Sequence, residues 1–159
     1  MSTAAWCRWG SLGLVLIGPC GRHPAGLSPV LPTQRIYYDD RPPAGQFRDS
    51  TRLVIRDAQG WDDVWTRATA SQSPRPAQPV IDFGREFVLV VSAGRLSPGD
   101  QIRVDSVGTP GKYFVAVVRT ILACQRFQGD AYPLEMVKVP KTKKDVTFDE
   151  RRERAQGCQ

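Results

Sequence analysis

The spacing of hydrophobic residues changes several times along this chain, and the changes mark out one helix among strands. Arg52-Leu-Val-Ile-Arg56 is a short apolar stretch between charges and predicts a strand. Trp61, Val64, Trp65 and Ala68 then recur at intervals of three and four, which is one face of a helix. Asp57 stands where an N-cap accepts a free backbone N–H, so a helix from there to about Ala70 is predicted. Asp62 and Asp63 fall early in it, where negative charge suits the helix dipole. Two tryptophans four residues apart read as a core seam, so this helix is expected to cover one face of a sheet.

Beyond the Pro-rich crossing from Ser71 to Pro79, Val80-Ile-Asp-Phe83 leads into Phe87-Val-Leu-Val-Val-Ser-Ala93. That run is apolar, rich in β-branched residues and of strand length, as a fully buried strand at the centre of a sheet would be. Gln101-Ile-Arg-Val-Asp105 alternates polar with apolar, as a half-exposed strand does, and Gly108-Thr-Pro-Gly111 is a turn signal. Tyr113 to Leu122 makes the returning strand of a hairpin, and Leu134 to Val139 and the short Val146-Thr-Phe148 complete the set. The fold class implied is mainly β (α+β): a compact antiparallel β-sandwich or partly open barrel with one N-terminal helix packed on the sheet. No internal repeat is visible.

The first residues have a different pattern. Met1 to Ala5, Arg8 and the run from Trp9 to Pro19 follow the order of a signal peptide: a basic region, a short apolar region, then small residues. The run falls short of the roughly 20 residues that cross a bilayer, so it reads as an address and not as an anchor helix. Ile17-Gly18-Pro19-Cys20 resembles the lipobox of bacterial lipoproteins, with Cys20 as the lipidated residue. Pro19 occupies the place where that motif carries Gly, Ala or Ser, which leaves lipidation at Cys20, ordinary cleavage nearby and an uncleaved leader as alternatives. The expected plan is a signal peptide over 1–20, a Pro/Gly-rich tether over 21–50, a β domain over 51–150 and a charged C-terminal tail over 151–159. Ile36-Tyr-Tyr38 is the apolar patch of the tether and a candidate edge segment. The expected location is the periplasm or cell envelope, at the membrane if Cys20 is acylated.

Composition adjusts this picture in two places. The formal charge is +6, but basic and acidic residues are interspersed, and only Lys141-Thr-Lys-Lys144 with Arg151, Arg152 and Arg154 is densely basic. That distribution suits a solvated tail or the neighbourhood of an anionic membrane and argues against nucleic acid as a partner. Of the four cysteines, Cys7 and Cys20 lie in the leader, so Cys124 and Cys158 form the one candidate disulfide of the domain. Closing a loop of about 35 residues is worth roughly 3–4 kcal/mol in the chain-entropy model. Two free thiols are the alternative, in a reducing compartment.

Candidate chemistry is sparse. The single histidine, His23, lies in the tether, so no Ser-His-Asp or Cys-His arrangement and no clustered zinc ligands are expected in the domain, and no cofactor is implied. Asp82-Phe-Gly84 matches a kinase magnesium motif without the Gly-rich loop or catalytic loop that would give it meaning. Asp82 and Glu86 are the one carboxylate pair near a strand edge, as in glycoside cleavage. The simpler reading has Asp82 accepting backbone amides in the turn before the strand, with Arg85 and Glu86 exposed. A non-catalytic protein is therefore expected, working through its loops. Gly94 to Gly99 offers Arg95 and Leu96; Cys124 to Gly129 offers Gln125, Arg126 and Phe127 in a loop that the disulfide would stiffen.

In their order, Trp61-Asp-Asp-Val-Trp65, Pro79-Val-Ile-Asp-Phe-Gly84, Val88-Leu-Val-Val91, Gly94-Arg95, Gln101-Ile-Arg-Val104 and Pro140 resemble the PrcB C-terminal domain family. That family is named for a lipoprotein subunit of a bacterial protease complex, and the likeness runs from about Leu53 to Phe148. The resemblance implies an exported, often lipid-anchored accessory protein that stabilises or regulates a protein partner such as an exported protease. It brings no catalytic residues. Members often carry Gly-Gly-Tyr after the first loop, where this chain has Pro98-Gly-Asp100. Two other readings stand beside it: a small hydrolase using the carboxylates, and a structural surface lipoprotein without a specific partner.

Overall fold

The computed structural model describes residues 27–41 and 47–158; the expected leader, with Cys20 and His23, lies outside the described residues. In chain order the elements are β1 (Val30–Leu31), β2 (Gln34–Asp39), β3 (Ser50–Ile55), α1 (Ala58–Ala68), β4 (Glu86–Ala93), β5 (Gln101–Gly108), β6 (Phe114–Leu122), β7 (Leu134–Pro140) and β8 (Val146–Arg154). They form two four-stranded sheets of order β1-β5-β6-β8 and β2-β7-β4-β3. The result is a β-sandwich and not a barrel. Every pairing is antiparallel except β6 with β8, which is parallel.

Alternation along the second sheet explains the three layers. Phe87, Leu89 and Val91 of β4 and Val137 and Val139 of β7 face the first sheet, where Ile102, Val104, Val107, Phe114, Ala116 and Val118 meet them. Val88 and Val90 of β4 and Leu134 and Met136 of β7 face the other way, onto Trp61, Val64, Trp65 and Ala68 of α1. Side chains of successive strand residues point to opposite faces, so a strand apolar at every position needs a cover on each side. The helix supplies the second cover. Asp57 caps it, its Oδ1 accepting the Gly60 N–H at 2.8 Å, and the Trp61 indole donates to the Pro79 carbonyl at 3.0 Å. Asp62 and Asp63 begin only in the second turn, so the first turn carries no acidic residue and the expected dipole benefit is reduced.

Two boundaries differ from expectation. Part of the Pro/Gly-rich tether belongs to the fold: β2 pairs with β7 along the sheet edge, as the Ile36-Tyr-Tyr38 patch suggested, and Phe47 is buried at 2% exposure. Composition concealed this, because pairing with β7 and packing of Tyr37 on Trp65, ring centroids 5.1 Å apart, outweigh the local preference for irregular backbone. At the other end, the charged segment from Arg151 continues β8 to Arg154 and is not a free tail. Ion pairs hold it: Glu153 with Arg119 at 2.8 Å, and Glu150 with Arg52 of β3 at 2.6 Å, the latter closing one side of the sandwich.

One charge is buried between the sheets. Glu135 of β7, 1% exposed, accepts the Val104 N–H from β5 in the opposite sheet and an ion pair from Arg35 of β2. Asp105 is an extra residue in β5, and the register against β6 shifts there. Burial pushes the Glu135 carboxyl up, against the lowering effects of the Val104 N–H and Arg35. A raised folded-state pKa means stability is fully present below the unfolded value, about 4.3, and is lost as pH rises through the folded value. Urea unfolding of wild type and Glu135→Gln across pH should therefore show the difference moving in favour of wild type on acidification. A difference independent of pH would refute the raised value. Glu135→Ala should cost about 1–3 kcal/mol by orphaning the Val104 N–H.

Candidate partner-binding surface

The registers bring one set of strand ends together. Ser50 lies opposite Ala93, Ser92 opposite Leu134, Gln101 opposite Ile121 and Leu122 beside Arg154, so the loops after β4, β6 and β8 share one end of the sandwich. The first of them leaves β4 through Gly94, whose φ of 71° and close approach to the Ser50 nitrogen exclude a side chain. Leu96 then forms a two-way backbone bridge with Ala131, donating at 2.8 Å and accepting at 3.0 Å. The two loops singled out in the sequence are thus parts of one surface.

Asp100 holds that surface in place. Its side chain is wholly buried; Oδ1 accepts the Ala123 N–H at 2.8 Å and Oδ2 the Ser97 N–H at 3.2 Å. One carboxylate therefore ties the end of the first loop to the start of the second. Arg126 reaches back from the second loop to the Ser97 hydroxyl at 3.2 Å, with its guanidinium 3.7 Å from Asp100. The Cys124–Cys158 disulfide adds a covalent tie to the segment after β8, with Cα atoms 5.0 Å apart, and the Ala155 N–H donates to the Leu122 carbonyl at 2.8 Å.

Of the residues proposed from sequence, Phe127 is 55% exposed at the tip and Gln125 is exposed beside it. Arg95 is exposed and lies 3.9 Å from Asp130. Arg126 is exposed but tethered by Ser97, and Leu96 contributes chiefly its backbone bridge. The half-buried Leu96 side chain lines a cleft of about 330 Å³ with Ser50, Arg52, Thr120, Arg151 and Arg152. Sequence reasoning passed over Asp100, although Ser97-Pro-Gly-Asp100 carries a turn signal: the Asp100 N–H closes it onto the Ser97 carbonyl at 3.1 Å. It also missed the group at the end of β2, where Asp39 accepts from Tyr37 at 3.1 Å, Gln72 at 2.7 Å and Arg41 at 2.9 Å. Burial, with Asp39 beside it, pushes the Tyr37 hydroxyl up to about 12. Burial alone would raise the Asp39 carboxyl, but the hydrogen bonds from Arg41 outweigh it and hold that group below the usual range.

Asp82 and Glu86 lie elsewhere, lining an open cleft of about 590 Å³ at the opposite end of the sandwich, with Arg85 and Lys138. Asp82 accepts the Gly84 N–H at 2.9 Å, the turn role expected of it. Glu86 is half-buried and not exposed as expected, because Lys138 on the neighbouring strand pairs with it at 3.1 Å. Among the described residues, no group of three or more His, Cys, Asp or Glu is placed to hold a metal, and no helix is long and apolar enough to cross a membrane. Comparison of the chain with protein-family models, curated proteins and solved structures finds no match.

The ties make separate predictions for urea denaturation. Asp100→Ala leaves two backbone N–H groups without their acceptor and should lower stability by about 2–3 kcal/mol, with Asp100→Asn milder because one acceptor remains. Paired Cys124→Ser and Cys158→Ser should cost roughly 3–4 kcal/mol under oxidising conditions and nothing in excess reductant, where wild type should fall to the level of the variant.

Proposed function

We propose that this protein is a non-catalytic binding module of the cell envelope that docks a protein partner through the surface formed by Gly94 to Gly99 and Ala123 to Asp130. The observation that carries the reading is that two loops, each crossing from one sheet to the other, are tied together by Asp100, by the Leu96–Ala131 bridge and by the Cys124–Cys158 disulfide, while Phe127 and Arg95 project outward. A surface already held in its bound shape loses little entropy on association. Exposed aromatic and arginine side chains are the types that carry binding energy at interfaces. An exported protease is the partner class that the resemblance to the PrcB C-terminal domain implies, and a disulfide-tied loop suits an oxidising compartment.

Capture from envelope extract tests the reading. Wild-type protein should retain a defined partner, and Phe127→Ala and Arg95→Ala should each weaken retention by roughly tenfold, about 1.4 kcal/mol, with thermal unfolding unchanged. Equal recovery by wild type and both variants would place the contact elsewhere. Recovery of nothing by wild type would support a structural protein without a specific partner.

A further inference from the structure

We infer that the end of the sandwich opposite the loop surface is a docking face for an anionic lipid bilayer. All five lysines of the chain, Lys112, Lys138, Lys141, Lys143 and Lys144, are gathered there. They come from three places: the β5–β6 turn, the end of β7 and the β7–β8 connection. Pairing of Glu86 with Pro140 and of Phe114 with Val146 puts these segments side by side.

Hydrogen bonds fasten the array. The Lys144 ammonium donates to the Gly111 carbonyl at 2.7 Å and that of Lys141 to the Phe83 carbonyl at 2.5 Å. Arg56 reaches the Thr142 carbonyl at 2.6 Å and the Lys144 carbonyl at 3.2 Å, adding its own charge to the face. Carbonyl acceptors leave the cationic charge uncancelled. Glu86 offsets Lys138, and Asp57, Asp82 and Asp145 keep their negative charge nearby, so Lys112, Lys141, Lys143, Lys144 and Arg56 leave the face net positive by about two charges. Tyr113, 46% exposed, stands beside Lys112, whose ammonium lies 5.0 Å from its ring centre.

The course of the chain points the same way. Val30 of β1 pairs with Gly108, and the Thr109 N–H donates to the Pro29 carbonyl at 3.3 Å, so whatever precedes residue 27 joins the domain at the lysine-bearing end. An acyl chain on Cys20, as the leader suggests, would bring this face to the bilayer. One chain gives only marginal binding, and a basic patch is the second signal that makes anchoring stable. Lysines near an anionic leaflet and an aromatic side chain with a polar tip are the groups that suit the headgroup layer. Nucleic acid is less well matched, because its recognition draws on the planar fork of arginine, and four of the cations here, Lys112, Lys141, Lys143 and Lys144, are compact ammonium groups beside the single guanidinium of Arg56. The partner loops then face away from the membrane.

Sedimentation of the full chain with vesicles tests this independently of the partner reading. Binding to phosphatidylcholine vesicles containing about 30% phosphatidylglycerol should exceed binding to pure phosphatidylcholine by roughly tenfold and weaken steeply with salt. Lys112→Gln with Lys143→Gln should abolish most of that excess, Lys112→Arg with Lys143→Arg should keep it, and Arg95→Ala with Phe127→Ala, which disables the loop surface, should leave it unchanged. Equal binding to both kinds of vesicle, or an excess indifferent to the lysine variants, would overturn the proposal. Tighter binding of a DNA duplex than of the anionic vesicles at the same salt would overturn it too, by assigning the face to a nucleic acid.

Discussion

Everything else in this architecture depends on strand β4 being apolar on both faces. A strand of that kind gains from burial only if each face is covered, at roughly 25 cal/mol per Å² of apolar surface removed from water. The first sheet covers Phe87, Leu89 and Val91, and α1 covers Val88 and Val90. Neither cover is dispensable. The helix, short and amphipathic, has its own apolar stripe to bury, so strand and helix each supply what the other lacks.

Three buried polar side chains in this interior serve backbone groups directly. Glu135 serves the Val104 N–H beside the extra residue in β5. Asp100 serves two loop N–H groups, and Ser92 joins the end of β4 to the chain around Phe47 through the Phe47 carbonyl and the Gly94 N–H. A buried donor left unpaired costs more than a satisfied bond gains, so each of these side chains narrows the conformations open to the segment it touches. At the loop end that narrowing produces a pre-shaped surface. At the other end, carbonyl acceptors hold Lys141 and Lys144 without neutralising them, and the molecule acquires two chemically different poles.

The candidate surface was partly legible in advance. Arg95, Gln125, Arg126 and Phe127 follow from loop position and residue type, and the Cys124–Cys158 pairing from the count of cysteines outside the expected leader. Asp100 was not named as an organiser, because an aspartate after Pro-Gly reads as an ordinary turn residue until its oxygens are seen against Ala123 and Ser97. Leu96 was named as a contact, yet what it chiefly supplies is a backbone bridge to Ala131, and no side-chain property signals that. Sheet membership of β1 and of the end of β8 was hidden, and that of β2 was signalled only by the Ile36-Tyr-Tyr38 patch, for a related reason: Pro, Gly and alternating charges weaken local strand preference, and the partners that restore it, Val107 and Gly108, β6 and β7, lie far along the chain.

The amino-acid sequence alone determined the helix with its Asp57 cap and tryptophan seam, the central buried strand, the hairpin of β5 and β6 and the mainly β class, because period, capping and turn chemistry act over a few residues. Only the tertiary structure decided that β8 lies parallel to β6, that two loops some 30 residues apart become one surface, that Glu135 sits between the sheets, and that every lysine faces one pole. Those outcomes depend on which strand ends meet, and that is settled by burying all the apolar faces at once and not by any one segment's own preference.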